Sequence, residues 1–144
     1  MTHVLEDENI DPFQIAQQAA DQIAEKSGVN EHHIALTLGS GWAKAADLLG
    51  ETVSEIPAAD IIGFSKPAVV GHGGTIRSIK LRNDKLALVI GARTHFYENH
   101  GVRAVVHSVR TAAKTGAKVM VLTNGAGGIR PEWAGGASVL ISDH

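Results

Sequence analysis

Residues 86–98 read LALVIGARTHFYE, an apolar run that ends at a glycine and continues into charged and aromatic residues. A short apolar run bounded by glycine is typical of a strand that is buried on both faces of a sheet. Four hydrogen-bonding side chains follow the glycine within a few positions: Arg93, His95, Tyr97 and Glu98. We therefore expect a buried strand whose carboxyl end carries a polar cluster.

Similar runs recur along the chain. IALTL (34–38) and KVMVL (118–122) each precede a glycine-rich stretch, and SVLI (138–141) has the composition of one more strand. TIRSIKL (75–81) alternates polar and apolar residues, which is typical of a half-buried strand. A short turn separates it from the strand quoted first, so the two are expected to form a hairpin.

Segments with helical spacing of apolar residues lie between these strands. An Asp-Pro pair at 11–12 is a favourable helix start, and Gly28 is a natural stop. Further helices are predicted over 42–50 and 101–115. Residues 51–74 are rich in glycine and proline and are expected to form a loop, with room for a short strand near Val69-Val70.

The alternation of strands and helices, with one hairpin inserted, predicts an α/β fold. We expect a mixed, mostly parallel central sheet flanked by helices. Residues 1–10 are expected to be a flexible tail, and residues 11–144 a single domain, because 144 residues suffice for one hydrophobic core.

Composition excludes several function classes. The net charge is −2 and basic residues are not clustered, which argues against nucleic acid as a partner. Cysteine is absent, which fits a reducing compartment such as the cytoplasm. No apolar run approaches the roughly 20 residues of a membrane helix, and the first residues lack a signal-peptide pattern. The His32-His33 pair is expected at the surface, and no metal is expected.

Three segments place unusual residues where predicted strands end: GSG (39–41), GARTHFYE (91–98) and TNGAGG (123–128). In α/β sheets, ligands bind beyond the carboxyl ends of strands. Glycines let backbone N–H groups approach an anion, and Ser40 adds a hydroxyl donor. Taken alone, GSG and TNGAGG are each better interpreted as tight turns, and the lone imidazole of His72 as structural. Their coincidence favours an anion site.

Arg93 and His95 lie two positions apart, so on an extended segment their side chains point the same way. The planar guanidinium suits phosphate, and Tyr97 continues the same parity. The alternative is a surface salt bridge between Arg93 and Glu98, which would contribute little. The residues alone leave these two interpretations about even.

The sequence from about Ile34 onward resembles the purine nucleoside phosphorylases of the trimeric type. The matching segments, in the family's order, are LGSG (38–41), GFSKPAVVGHGG (63–74), GARTHFYE (91–98), TNGAGGIRPEW (123–133) and SDH (142–144). The resemblance implies phosphorolysis: phosphate attacks C1′ of a purine (deoxy)ribonucleoside through an oxocarbenium-like transition state. The products would be the free base and (deoxy)ribose 1-phosphate. Phosphate would be a co-substrate, with no metal or other cofactor.

The resemblance also implies roles for individual residues. The phosphate-binding set would be Ser40, His72, Arg93, His95 and the backbone of Gly125. Tyr97 would lie against the ribose, while Asn124 and Ala126 would line the floor between phosphate, sugar and base. Glu98 would orient His95. The catalytic residues implied are His95, Glu98 and Asn124.

The resemblance further implies a cytoplasmic enzyme of purine salvage that is a homotrimer in the full-length parent, with the oligomeric state of this chain alone left open. Family members continue for roughly as many residues again, so the chain resembles their N-terminal half and looks truncated. Purine specificity, 6-oxopurine or adenine, is therefore left open. Two alternatives stay open with it. One is an inactive fragment or phosphate-binding module without the base-recognition half, and the other is a methylthioadenosine phosphorylase.

The sequence also departs from the family pattern. Asn99 stands where a glycine is usual, and asparagine tolerates left-handed backbone better than most residues. Gly125 replaces a common alanine, which leaves its backbone donor intact. Arg130 and Ala137 replace a frequent asparagine and aspartate, and neither change removes an expected phosphate ligand.

Overall fold

The structure is a computed structural model that describes residues 3–39, 41–65 and 74–143. The α-helices are α1 (Pro12–Ser27), α2 (Gly101–Val105) and α3 (His107–Lys114). The strands are β1 (Ile34–Thr37), β2 (Gly50–Pro57), β3 (Thr75–Leu81), β4 (Leu86–Ile90) and β5 (Val119–Leu122). Short 3₁₀ helices cover Val4–Glu6, Ala43–Leu48, Ala58–Asp60 and Phe96–Glu98.

The strands described form one sheet in the order β2-β3-β4-β1-β5. β1 pairs in parallel with both β4 and β5, whereas β3 pairs antiparallel with β2 and β4. Within this sheet β3 alone runs against the other strands. The expected α/β fold with a mixed, mostly parallel sheet is confirmed, and so is the hairpin of β3 and β4.

Helix α1 begins and ends where its sequence signals lie. The Asp11 carboxylate accepts a hydrogen bond from Phe13 N at 2.8 Å, and Gly28 ends the helix with a left-handed φ of 72°. The buried face of α1 packs Ala19 and Ile23 onto the sheet beside Leu88. Burial of such side chains contributes about 1.5–3 kcal/mol each, so this face holds α1 on the sheet.

Three predictions about secondary structure are wrong. Residues 51–57, expected in a loop, belong to β2; this edge strand is mostly exposed and its polar residues conceal the strand pattern. Residues 138–141 form no strand and are exposed, because no neighbouring strand pairs with them. The helix expected over 101–115 is divided into two at Val106. The pair Val69-Val70 lies outside the described residues.

Smaller differences concern the first segment and the stretch after β1. Residues 3–10, expected to be a flexible tail, contain a 3₁₀ turn, and Leu5 within it is only 1% exposed because it packs against α1 and α2. The helix predicted over 42–50 is a 3₁₀ helix, and Gly50 begins β2.

His32 is also not where the sequence analysis expected it. Its side chain is fully buried, and Nε2 lies 2.9 Å from the Ser78 hydroxyl on β3. His33 beside it is exposed, as expected, and its Nδ1 accepts from Leu86 N. The surface interpretation was therefore wrong for His32 and right for its neighbour.

Candidate functional site

The candidate site lies where three adjacent strands end. β4, β1 and β5 are neighbours and run in parallel, so their carboxyl ends lie together. Beyond β4 the chain continues to Arg93, beyond β1 to Gly39, and beyond β5 to Thr123. In α/β proteins, ligands bind beyond the carboxyl ends of the strands, which is where these three segments lie.

The Arg93 guanidinium spans these strand ends. Its Nη1 donates to the Thr123 carbonyl at 3.3 Å, and its Nη2 lies 3.3 Å from His95 Nε2. A Cβ added at Gly39 would stand 3.8 Å from the same Nη2, an ordinary van der Waals contact, so the end of β1 lies directly beside the guanidinium. Arg93 and His95 thus meet on one side of the chain, as their spacing predicts.

Glu98 holds the imidazole of His95. One carboxylate oxygen accepts from the His95 backbone N–H at 2.8 Å and lies 3.0 Å from Nδ1. Burial raises the pKa of Glu98, but the hydrogen bonds from His95 outweigh it and the net shift is downward. An ionised carboxylate only accepts, so Nδ1 carries a proton and Nε2 faces Arg93. This contact replaces the Arg93–Glu98 pair considered as an alternative.

The 3₁₀ turn that follows is shaped by one left-handed residue. Asn99 has a φ of 62°, as expected of an asparagine in place of the usual glycine. The Tyr97 ring stacks on the His95 ring at 4.8 Å between centroids, with 16° between the planes. Tyr97 is 76% exposed and Phe96 is 68% exposed, so the turn presents two aromatic rings to the surface.

The structure describes three of the five other residues that were expected at the site. Asn124, Gly125 and Ala126 follow Thr123 directly and are exposed. No described residue lies within 4 Å of the position of a Cβ at Gly125, so in this part of the chain nothing opposes the exchange with alanine noted in the sequence. Ser40 and His72 lie outside the described residues.

Two features of the site were missed by sequence reasoning. The Thr123 carbonyl receives Arg93, and the Thr123 hydroxyl donates to Thr37 O at 2.6 Å, which fixes β5 to β1. The Thr37 hydroxyl is buried without a hydrogen-bond partner. The sequence shows Thr37 at the end of β1 and Thr123 directly after β5, but no local pattern indicates which carbonyl an arginine will reach.

A cavity of about 400 Å³ opens beside the site, between the Ala43–Leu48 helix, the paired strands β2 and β3, and the ends of β1 and β4. Lys44, Asp47, Glu55 and Arg77 contribute charges of both signs to its lining. Arg77 is paired with Asp47 at 2.8 Å. Since the charges largely compensate, the cavity does not by itself indicate a charged ligand.

None of the helices in residues 3–39, 41–65 and 74–143 has the length and apolarity to cross a membrane. In the same residues no group of three or more histidine, aspartate or glutamate side chains could hold a metal ion.

The sequence is similar to curated proteins named purine nucleoside phosphorylase. One from Cellulomonas sp. is 56% identical over 147 residues, which covers 99% of this chain and 52% of the relative. One from Mycobacterium tuberculosis is 45% identical over 134 residues, covering 93% of this chain and 50% of the relative. The chain thus spans about half the length of the curated relatives it matches. No family model matches the chain.

Solved structures agree with the sequence relatives. A Schistosoma mansoni purine nucleoside phosphorylase in complex with inosine superposes with a TM-score of 0.72 at 26% identity, covering 88% of this chain and 44% of that one. A purine nucleoside phosphorylase in complex with ribose 1-phosphate gives 0.70 at 27% identity, covering 83% and 43%.

Fold, strand-end site and sequence relatives therefore agree on a class, the α/β nucleoside phosphorylase fold. Within it, this chain is a relative of the purine nucleoside phosphorylases, similar to about half of their length. The resemblance stated from the sequence is confirmed. None of the matches described above carries the name methylthioadenosine phosphorylase, and that alternative has no support.

Proposed function

We propose that this chain provides the phosphate- and ribose-binding part of a purine nucleoside phosphorylase, a pentosyltransferase of purine salvage. The observation that carries the proposal is the Arg93 guanidinium held beside the Glu98-bound imidazole of His95, at the ends of three parallel strands. The similarity to proteins of that name supports the reaction class.

The arrangement suits an incoming phosphate dianion. Arg93 offers a charged donor fork, and its hydrogen bond to the Thr123 carbonyl fixes the fork's orientation. With its Nδ1–H bound by Glu98, the His95 ring is held beside the guanidinium and next to the place proposed for phosphate. Such preorganised donors replace the water that phosphate must lose before it attacks C1′.

In the proposed reaction a phosphate oxygen forms a bond to C1′ as the bond to the purine nitrogen breaks. The purine leaves with that electron pair and takes up a proton. Ser40, His72 and the Gly125 amide are proposed as further phosphate donors. Tyr97 is proposed to face the ribose, with Asn124 and Ala126 along the floor. No cofactor is needed, because phosphate is itself the second substrate.

The test is hypoxanthine release from inosine by the 144-residue chain, with and without phosphate, beside a phosphate-binding titration. We expect Arg93→Gln to weaken phosphate binding by about 10- to 100-fold, the value of a lost charged hydrogen bond. Arg82→Gln, in the exposed turn between β3 and β4, is the matched control and should change nothing. Equal phosphate affinity in all three proteins would contradict the proposal.

The two measurements separate the remaining alternatives. Phosphate-dependent release of hypoxanthine would establish the enzyme. Stoichiometric phosphate binding without release would instead assign the chain as a phosphate-binding module without the base-recognition half.

We further propose that the chain associates as a homotrimer through the surface beside the site. Phe96, Tyr97 and Val102 are more than 60% exposed and lie close together in sequence around the turn. Exposed aromatic residues grouped in this way mark interaction surfaces.

Location in the cytoplasm stays a prediction from composition.

Sedimentation equilibrium tests the trimer. We expect the chain to have three times the mass of the monomer. Val102→Ser should lower this average mass, because it places a hydroxyl in the contact and weakens the association. Val53→Ser on β2, where the valine is 49% exposed, is the matched control and should leave the mass unchanged. A monomer at every concentration would rule the trimer out for this chain.

A further inference from the structure

The segment that precedes α1 is joined to the turn that carries His95. We propose that Glu6 is a positioning residue for this turn, and that it acts through His100. The inference rests on the function proposed for the Arg93–His95 site and adds to it a part of the chain that lies outside that site.

Residues 3–10 are anchored on the start of α2. Leu5 is 1% exposed and packs in a small apolar cluster with Ala104. The Arg103 guanidinium donates to the Asp7 carbonyl at 2.7 Å and to a second carbonyl of the same segment. An apolar contact and a charged one therefore fix the segment on the helix that directly follows the site turn.

A third contact from this segment falls nearer the site. The Glu6 carboxylate lies 2.7 Å from His100 Nδ1, and the His3 ring stacks on the His100 ring at 5.0 Å. His100 stands between Asn99 and Gly101, whose φ angles are 62° and 75°. Left-handed backbone continues neither a helix nor a strand, so the side-chain contacts of His100 hold this corner of the chain.

The corner is linked to the site through Glu98. This residue lies two positions before His100 and binds both the backbone N–H and the ring of His95. Burial raises the pKa of Glu98, whereas the hydrogen bonds from His95 and then the charges of His95 and His100 lower it. Glu6 fixes His100, which follows Glu98 by two residues, so holding His100 restrains the backbone that carries Glu98 and its contact with His95.

The experiment compares Glu6→Gln with Glu8→Gln, which removes an exposed carboxylate from the same segment and serves as the matched control. Amide hydrogen exchange at His95 is measured without phosphate, and phosphate affinity is measured separately by titration. For Glu6→Gln we expect exchange at His95 to rise and phosphate to bind more weakly, each by about threefold to fivefold, the upper range for a half-exposed ion pair. His100→Gln should have the same effect, and the double variant should add nothing further.

A rise at His95 in Glu6→Gln but not in Glu8→Gln, with the Ile79 amide in β3 unchanged, supports the positioning role. An unchanged rate at His95, or an equal rise at Ile79, overturns it, because Glu6 would then act on stability in general. The exchange readout needs no ligand. If the unaltered chain fails to bind phosphate, the proposed function fails while the positioning role is still decided by the exchange rates.

Discussion

Lowering the pH from 7.5 to 5 is expected to destabilise the fold strongly. His32 and His107 are buried, and burial lowers the pKa of each from 6.5 to about 4. In the unfolded chain both imidazoles titrate near 6.5, so between about pH 6.5 and 4 the unfolded state binds protons that the native state does not. The free energy of unfolding therefore falls as the pH falls through this window.

The magnitude follows from the size of the shifts. Each pKa lies about 2.5 units below its ordinary value, and one unit corresponds to about 1.4 kcal/mol, so each histidine removes roughly 3 kcal/mol once the pH reaches 4. The pair together approaches the whole stability of a typical domain, about 5–15 kcal/mol. We expect the chain to unfold near the lower end of the window.

The hydrogen bonding of the two rings explains why they stay neutral. His32 uses Nε2 for the Ser78 hydroxyl, and His107 uses Nε2 for the Ile62 carbonyl at 3.0 Å. Among the described residues, the buried Nδ1 of neither ring has a hydrogen-bond partner. A proton added there would place a charge in the core with no acceptor to receive it.

Urea unfolding followed by far-ultraviolet circular dichroism at pH 7.5, 6 and 5 checks this expectation. His32→Gln keeps a polar group for Ser78 but removes one titrating ring, so the loss of stability between pH 7.5 and 5 should shrink. His33→Gln at the exposed neighbouring position is the control. The same free energy of unfolding at pH 7.5 and 5 would show that buried histidines do not govern the acid limit.

The second large effect is expected from Gly63→Ala. Gly63 has a φ of 79°, and a Cβ added there would approach His107 Cε1 and Cδ2 at 2.7 and 2.9 Å. The ring cannot yield easily, because it is bound to the Ile62 carbonyl and packed edge-on against Phe64 at 5.0 Å between centroids. Left-handed strain and overpacking each cost about 1–3 kcal/mol, so we expect a loss of roughly 2–6 kcal/mol.

Gly28→Ala provides the matched control for this substitution. Gly28 has a similar φ of 72°, but nothing lies within 4 Å of the position of its Cβ. It therefore reports the backbone strain alone, and the difference between the two variants in urea unfolding measures the collision with His107. Equal losses of stability in the two variants would mean that the ring moves aside at no cost.

Local pattern was sufficient for much of the fold. β1 and β4 are short apolar runs in the sheet interior, and the ends of α1 follow from Asp11 and Gly28. β5 was also predicted from an apolar run, but the expectation that it is buried was wrong, because it lies at the edge of the described sheet and is mostly exposed. β2 was missed because an exposed edge strand does not need an apolar face. The strand predicted over residues 138–141 is not formed, because an apolar tetrapeptide becomes a strand only where a partner strand is available.

For the site, too, the sequence predicted contacts between neighbouring residues but not those between distant ones. The parity of Arg93 and His95 predicted that the two side chains meet, and their contact at 3.3 Å agrees. The burial of His32 was not predictable, because it depends on Ser78, 46 positions away on a strand that does not adjoin β1. Which partner reaches a buried polar residue is decided by sheet order, and local sequence does not encode it.

The hydrogen bond between Thr123 and Thr37 has a consequence for how the chain folds. It joins residues 86 positions apart, and it secures the strand whose end supplies the carbonyl that orients Arg93. The chain must therefore close a long loop, at an entropic cost, before these strand ends meet. A collapsed intermediate that lacks β5 would have no oriented guanidinium. A phosphate ion that recognises the assembled site would bind the finished fold alone and would draw the folding equilibrium towards it.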